Sequence, residues 1–319
     1  MAETKYICTY FDYNFLPRGL ALYDSIKKFH KEFIYYVLAF DDSTYNYLLN
    51  LKYKNLVPIA PKSYDNYFKT SIDRFEDKKQ YFFSATPNIC LYIFNEFPQV
   101  DSLLYLDSDV YVFNSLEPLY EEIGDASIAI CSHRFHLLFN ILSKNYGRYN
   151  VGVNYFKNDK EGNECLKDWK KDCDSWYPNK PGYPLNFFSD QIFLDNWIHR
   201  YKDIKEITNI GVDVAPWNMM NYKFKLVNEI YYVNNTPLII YHFSSLKKIG
   251  ENSWNGNTIF FFGSIQGNVK KLYKEYISKI ESFGLSNTKI SSLSHKNSII
   301  KKIFYFFMNL FMNETLKMD

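Results

Sequence analysis

The chain has 319 residues, of which 47% are hydrophobic and 19% aromatic, and this excludes the polar, aromatic-poor composition of a disordered protein. Its 37 basic and 35 acidic residues give a formal net charge of +2, so no global field indicates a nucleic-acid partner. The five cysteines are scattered without the paired spacing of zinc sites, and we expect reduced thiols. Because the N-terminus has no signal-peptide pattern, we expect a cytoplasmic protein.

The first half of the sequence alternates strand and helix patterns. A strand is predicted over residues 6–10, and a helix that begins near Pro17 follows it. The apolar run 33–40 is typical of a strand buried on both faces of a parallel sheet. A second helix over 87–97 leads to a strand over 103–106. This alternation predicts a doubly wound α/β core.

The second half is less regular, with short strands predicted over 151–156 and 238–242 and a helix near 191–201. After residue 267 the composition changes to Lys, Ser and Asn, which divides the chain into a main domain (1–267) and a helical appendage (268–319). Within the appendage, the predicted contact segment 296–313 contains an apolar run over 299–312, interrupted by two lysines and an asparagine. At about 14 residues this run is too short to span a bilayer, which needs roughly 20. Two interpretations stay open for this segment: an amphipathic helix in a membrane interface, or a helix packed on protein.

Acidic pairs follow two of the predicted strands, Asp41-Asp42 after the second and Asp107-Ser108-Asp109 after 103–106. Ligands of doubly wound sheets bind beyond the carboxyl ends of the strands, where both pairs fall. Two carboxylates at the end of a buried strand are costly unless a cation meets them, and a hard divalent ion is the natural partner. Mn²⁺ or Mg²⁺ held there could neutralise a diphosphate.

Such a pattern occurs in two enzyme classes, the GT-A glycosyltransferases and the aspartyl phosphotransferases of the haloacid dehalogenase type. The second class needs the motif on the first strand, whereas about a hundred residues precede it here. The segment Tyr105-Leu-Asp-Ser-Asp-Val-Tyr-Val resembles the metal-binding strand of glycosyltransferase family 8 and its relatives.

Further motifs extend this resemblance over most of residues 5–260, to a group of uncharacterised bacterial glycosyltransferases. The resemblance implies a GT-A fold, with a Rossmann-like, mostly parallel sheet and helices on both faces. In chain order, the motifs are Ser132-His-Arg-Phe, Tyr149-Asn-Val-Gly-Val-Asn-Tyr-Phe, Ser189-Asp-Gln-Ile-Phe-Leu-Asp, Ala215-Pro-Trp-Asn and Tyr241-His-Phe.

The resemblance implies a role for each matching residue. His242 would be the third metal ligand beside Asp107 and Asp109, and a neutral imidazole is compatible with that role. Either Lys247 or Lys248 would bind the diphosphate, and the sequence leaves both open because it lacks the Lys-Pro-Trp that usually fixes the position. Ser108, Asn150 and Gly152 would contact the donor, and Asp190 and Gln191 would surround the reacting carbon in a transfer with retention.

After the first strand, Thr9, Phe11 and Asp12 occupy the place where GT-A proteins seat the base and ribose, and Arg18 could reach a phosphate. Trp217 could stack on a sugar or belong to the core. Where family 8 commonly carries a sugar-contacting Arg, this chain has Thr86-Pro87-Asn88.

Three functional hypotheses follow from the sequence. The first is transfer of a hexose from a nucleoside diphosphate sugar, a UDP-sugar, to a cell-surface glycan or lipid-linked acceptor at the cytoplasmic membrane face. The second is a dehalogenase-type phosphotransferase that uses Asp107. The third is a nucleotide-sugar-binding protein without turnover.

Overall fold

The computed structural model of the chain describes residues 4–70, 78–175, 190–258, 263–285 and 315–318. Strands and helices alternate in its first half, as the sequence predicts. Up to the strand that carries the acidic motif, the described elements are β1 (Lys5–Phe11), α1 (Leu16–Phe29), β2 (Phe33–Ala39), α2 (Asp42–Leu51), β3 (Leu56–Ile59), α3 (Pro61–Phe68), α4 (Lys78–Glu96) and β4 (Ser102–Leu106).

The remaining elements include several small antiparallel ribbons. They are β5 (Val110–Val112), α5 (Glu117–Ile123), β6 (Ile128–Ser132), a 3₁₀ segment (Leu137–Leu142), α6 (Ser143–Tyr146), β7 (Tyr149–Lys157), α7 (Lys160–Ser175), a 3₁₀ segment (Gln191–Asn196), α8 (Trp197–Arg200), β8 (Ile204–Ile207), a 3₁₀ segment (Met219–Asn221), β9 (Phe224–Val227), β10 (Ile230–Val233), β11 (Thr236–Pro237), β12 (Ile240–His242), β13 (Lys247–Gly250), β14 (Ser253–Asn255), α9 (Gly267–Glu281) and β15 (Thr315–Lys317).

A seven-stranded sheet in the order β3-β2-β1-β4-β7-β6-β8 forms the centre of the fold. Strands β3, β2, β1 and β4 are mutually parallel, β7 runs antiparallel to both of its neighbours, and β8 is parallel to β6. The prediction of a mostly parallel α/β sheet is therefore confirmed.

The sequence of β2 is apolar throughout because both faces of the strand are buried. Tyr35 and Val37 pack into the hydrophobic cluster on the α1 side of the sheet. Tyr36 and Leu38 pack into the cluster that contains α4 and α7. Because successive side chains of a strand point to opposite faces, a strand covered by helices on both sides has no polar face.

Two helix predictions need correction. The helix predicted over 87–97 is α4, which begins at Lys78, so Pro87 lies inside the helix rather than in its first turn. Buried Tyr81 and Ala85, which come before the proline, pack on the sheet, and this packing outweighs the proline's preference for a first turn. The helix predicted over 191–201 is a 3₁₀ segment followed by a single turn of α-helix, α8.

The described C-terminal elements pack on the main body. In α9, Tyr276 stacks on Phe243 with ring centroids 3.9 Å apart, and β15 pairs with β14. The boundary after residue 267 stays a prediction, and segment 296–313 lies outside the described residues. Among the described helices, none has the length and apolar character needed to cross a membrane.

Candidate active site

The pairing of two short strands brings the acidic motif and a histidine together. Asp107 directly follows β4 and Asp109 directly precedes β5. Antiparallel β12 pairs with β5 so that His242 lies opposite Val110, and the Phe243 N–H donates to the Asp109 carbonyl at 2.9 Å. The imidazole is therefore placed beside both carboxylates, although at least 130 positions separate it from them in the sequence.

Within this cluster the ring nitrogen Nε2 of His242 lies 3.2 Å from Asp109 Oδ1 and 3.7 Å from Asp107 Oδ2. One ligand atom from each of the three residues falls within 4.8 Å of the others. Two carboxylates and an imidazole are a donor set that Mn²⁺ accepts, and the partly exposed carboxylates leave room for further oxygen ligands. The three predicted metal ligands thus fit a divalent ion.

Burial and mutual contact shift the pKa values of these groups. Burial raises the pKa of Asp107 to about 6, against the lowering effect of His242. Burial also favours neutral Asp109, but the charge and hydrogen bond of His242 lower its pKa. Burial disfavours the imidazolium, yet Asp109, Asp213 and Asp107 outweigh it and raise the pKa of His242 well above its ordinary value. Without a metal, the proton on His242 balances part of the negative charge.

Two clefts meet at the acidic pair. The first, of about 300 Å³, is walled by aromatic rings and reaches Asp107, Ser108 and Asp109. The second, of about 580 Å³, also contains Asp107 and Asp109, together with His242. A ligand with one apolar, planar end and one polar end can therefore lie across the carboxylates.

The first cleft contains several of the residues predicted to bind the nucleotide. Its walls include Tyr10, Phe11, Asp12, Phe15, Phe40 and Phe82. Thr9 is fully buried within β1 and is not among these walls. The carboxylate of Asp12 accepts hydrogen bonds from the Phe15 N–H and the Asn14 side chain, so it also fixes the turn into α1.

All five further motifs that support the family resemblance contribute side chains to the second cleft. His133 and Phe135 come from the first motif, Asn150 from the second, and Gln191, Trp217 and His242 from the last three. Trp217 packs edge-on against both His242 and His133, with ring centroids 5.1 Å and 5.4 Å apart. Ser189, the first residue of the third motif, lies outside the described residues.

The orientation of Asn150 is determined by its two neighbours. Its Oδ1 accepts the Gly152 N–H at 2.7 Å, so its Nδ2 faces His133 Nε2 at 3.2 Å. Burial lowers the pKa of His133 to about 4, so the imidazole is neutral and its Nε2 accepts from the amide. Asn150 is therefore held rigidly in the cleft wall.

Three other predicted site residues, Arg18, Lys247 and Lys248, are not among the residues that line either cleft. Arg18 donates to the Leu246 carbonyl at 2.5 Å and lies over the Phe15 ring, 4.6 Å from its centroid. Lys248 forms an ion pair with Glu281 at 3.0 Å, whereas Lys247 is exposed. Because adjacent residues of β13 point to opposite faces, only one of the two lysines can face the clefts.

Asp190 and Gln191 lie at the start of the 3₁₀ segment beside the second cleft. Gln191 lines that cleft, and the Asp190 carbonyl accepts from the Trp169 indole N–H at 3.1 Å. Asp41, from the other acidic pair, caps α2 by accepting the Thr44 N–H at 2.7 Å and also accepts from the Tyr13 N–H at 2.9 Å. Asp41 lies beyond the carboxyl end of β2, as the sequence predicts, and these hydrogen bonds give it a local structural role as the cap of α2.

Sequence reasoning missed several residues that surround the acidic pair and His242. The Tyr105 hydroxyl donates to Asp107 Oδ1 at 2.7 Å, and Tyr10 bonds to Thr86 Oγ1 at 3.0 Å in the same aromatic layer. Asp213 Oδ1 lies 3.4 Å from Nδ1 of His242. Asp213 precedes the Ala215-Pro-Trp-Asn motif by two positions, which is the one signal that could have indicated it.

No family model matches the sequence. The chain is 28% identical to the uncharacterized protein YfnF of Bacillus subtilis (strain 168) over 258 residues, which make up 78% of this chain and 84% of that protein. It is 22% identical to the uncharacterized protein YfnD of the same organism over 271 residues, covering 84% and 85% of the two chains. Both similarities cover more than three quarters of this chain.

Solved structures share the fold at low sequence identity. The galactosyltransferase LgtC, in complex with donor and acceptor sugar analogs, superposes with a TM-score of 0.51 at 16% identity, over 87% of this chain and 95% of that chain. The bifunctional glycosyltransferase WbbM gives a TM-score of 0.50 at 15% identity, over 91% and 52% of the two chains. With the mostly parallel sheet, these similarities confirm the predicted GT-A fold.

Proposed function

We propose that the protein is a metal-dependent glycosyltransferase that moves a hexose from a nucleoside diphosphate sugar, a UDP-sugar, to a glycan or lipid-linked acceptor with retention of configuration. The observation that carries this proposal is the position of Asp107, Asp109 and His242 where the two clefts meet. In a nucleoside diphosphate sugar, the diphosphate lies between the nucleoside, with its planar base, and the sugar. The acidic cluster likewise lies between the aromatic first cleft and the second cleft.

The first cleft suits the nucleoside part of the donor. A base can stack on the aromatic walls, because every base offers a π-face to such rings. The carboxylate of Asp12 is the ribose partner in this proposal, and Ser108 and exposed Lys247 are the diphosphate partners. Arg18 adds a positive charge near Asp109 and stabilises that carboxylate in its ionised form.

The second cleft suits two sugars. Asn150, rigidly held, and Gln191 offer amide donors and acceptors to sugar hydroxyls, and Trp217 offers an apolar face. A divalent ion held by Asp107, Asp109 and His242 would neutralise the diphosphate and stabilise its departure. In the transfer, the bond from the anomeric carbon to the diphosphate oxygen breaks and a bond to the acceptor oxygen forms, with Asp190 and Gln191 at the reacting carbon. The departing diphosphate takes up the proton that the acceptor hydroxyl loses.

The release of nucleoside diphosphate from a panel of UDP- and GDP-sugars, with and without Mn²⁺, tests this proposal. We expect Mn²⁺-dependent hydrolysis of one donor by the wild type and its loss in Asp109→Ala. Metal-dependent UDP binding with no release from any donor, and no transfer to an added acceptor, would instead indicate the binding protein without turnover. Covalent trapping of a phosphate mimic on Asp107 would indicate the phosphotransferase.

The acceptor and the location also belong to this proposal. A lipid-linked or cell-surface glycan acceptor would place the enzyme on the inner face of the cytoplasmic membrane. The contact predicted for 296–313 is the basis for that location, and it can be tested by sedimentation of the full chain with anionic vesicles. We expect co-sedimentation that decreases as salt screens the basic residues of this segment.

A further inference from the structure

A buried carboxylate lies directly behind the histidine of the candidate metal site. Asp213 is fully buried, and its Oδ1 lies 3.4 Å from Nδ1 of His242. Its second oxygen, Oδ2, has no hydrogen-bond partner among the described residues. A buried carboxylate with one unpartnered oxygen is destabilising unless a specific interaction depends on it.

The backbone at this position is also unfavourable. Asp213 has φ 55°, in the left-handed region that residues other than glycine seldom adopt. Its carbonyl is held by the Asn218 side chain at 3.1 Å and by the Arg134 guanidinium at 3.1 Å. The surrounding loop therefore fixes Asp213 in a strained conformation. In this conformation its carboxylate points at His242.

The two ring nitrogens of His242 have different partners. Nδ1 faces Asp213, whereas Nε2 faces Asp109 and Asp107. A metal-bound histidine commonly donates its other N–H to a carboxylate, which fixes the tautomer and the ring orientation. We propose that Asp213 is a positioning residue that keeps the proton of His242 on Nδ1 and presents the unprotonated Nε2 to the divalent ion.

This inference rests on the proposed metal-dependent function but concerns one residue that the metal does not touch. A purely structural role for Asp213 would be to hold the loop that contains Trp217 and Asn218. The two roles differ in whether the effect of Asp213 on metal binding depends on His242. A double-mutant cycle measures that dependence directly.

The experiment measures Mn²⁺ affinity by calorimetry and by electron paramagnetic resonance in four proteins: wild type, Asp213→Asn, His242→Ala and the double variant. Asparagine keeps the shape of the side chain and removes its charge. We expect Asp213→Asn to weaken Mn²⁺ binding about 10- to 100-fold, and to have no further effect once His242 is absent. Equal losses in both backgrounds would overturn the positioning role.

A second measurement needs no variant. Histidine-selective ¹⁵N NMR of the wild type with Mg²⁺ reports which ring nitrogen of His242 carries the proton. We expect a protonated Nδ1 and an unprotonated Nε2, and the opposite tautomer would overturn the inference. If the wild type binds neither ion, the proposed function fails too, whereas normal Mn²⁺ binding by Asp213→Asn beside weak binding by His242→Ala defeats the inference alone.

Discussion

The imidazole of His242 lies so close to the backbone of Gly152 that a β-carbon at position 152 would fall 2.6 Å from the ring atoms Cε1 and Nδ1. The carbonyl of the same glycine accepts the Asp107 N–H at 3.0 Å. Gly152 therefore positions one metal ligand through its backbone and leaves space for another. The glycine of the Asn-Val-Gly motif is therefore required on steric grounds, independently of any sugar contact.

Gly152→Ala is expected to displace the His242 ring and to weaken Mn²⁺ binding at least about tenfold, because the ligand geometry is lost. Overpacking should also lower the free energy of unfolding by about 1–3 kcal/mol. Calorimetric titration and thermal melting measure the two effects.

Gly284→Ala is the control, since its glycine has φ 63° with no atom within 4 Å of the added carbon. It should lower stability and leave Mn²⁺ affinity unchanged. Tight Mn²⁺ binding by Gly152→Ala would contradict the placement of the histidine.

Metal binding should depend on pH because protons occupy the ligands of the metal-free site. The pKa of His242 is raised well above its ordinary value, so at neutral pH the ion has to displace the imidazolium proton. Mn²⁺ affinity is therefore expected to rise about tenfold per pH unit for each proton released. As the pH falls through about 6, protonation of Asp107 should weaken binding further.

Calorimetry in buffers of different ionisation enthalpy counts the released protons. We expect about one proton per ion near neutral pH. Binding that releases no proton, or an affinity that stays constant between about pH 6 and about pH 8, would contradict these pKa shifts.

Phe15 tests the nucleotide cleft because it lies in the aromatic wall and is still 39% exposed. Phe15→Ala should weaken UDP binding roughly tenfold through lost stacking, with little change in thermal stability. Tyr67→Ala is the matched control, since Tyr67 is 41% exposed and is not part of either cleft wall. Equal UDP affinity in the two variants would place the base elsewhere.

The two lysines that the sequence left open should behave differently. Lys247 is exposed, so Lys247→Ala is expected to raise the KM for the sugar donor and to leave the melting temperature unchanged. Lys248 pairs with Glu281 across a partly exposed contact, so Lys248→Ala should lower stability by about 0–1 kcal/mol and leave the KM unchanged. The reverse result would assign the diphosphate to Lys248.

The sequence predicted the parts of the site that depend on local patterns. Asp107 and Asp109 stand out because they follow an apolar strand. Two carboxylates at the end of a buried strand indicate a bound cation, and this inference needs no knowledge of tertiary contacts. The all-apolar β2 indicated a sheet covered on both faces for the same reason. His242 depended on the family resemblance, because a lone histidine has no local pattern that marks it as a ligand.

What the sequence could not predict depends on pairing between distant segments. Asp213 reaches His242 because Val214 forms an isolated bridge with Tyr241, a pairing that no local periodicity encodes. The choice between Lys247 and Lys248 depends on which face of β13 packs against α9. The start of α4 was misplaced because burial of residues before Pro87 outweighed a local rule.

If one divalent ion binds between the two acidic residues and His242, anomalous diffraction from crystals grown with MnCl₂ and UDP should locate it there. We expect the strongest manganese peak within coordination distance of Asp107, Asp109 and Nε2 of His242, with UDP in the aromatic cleft. A crystal that holds UDP but shows manganese elsewhere, or none at this triad, would show that these three residues do not form the metal site.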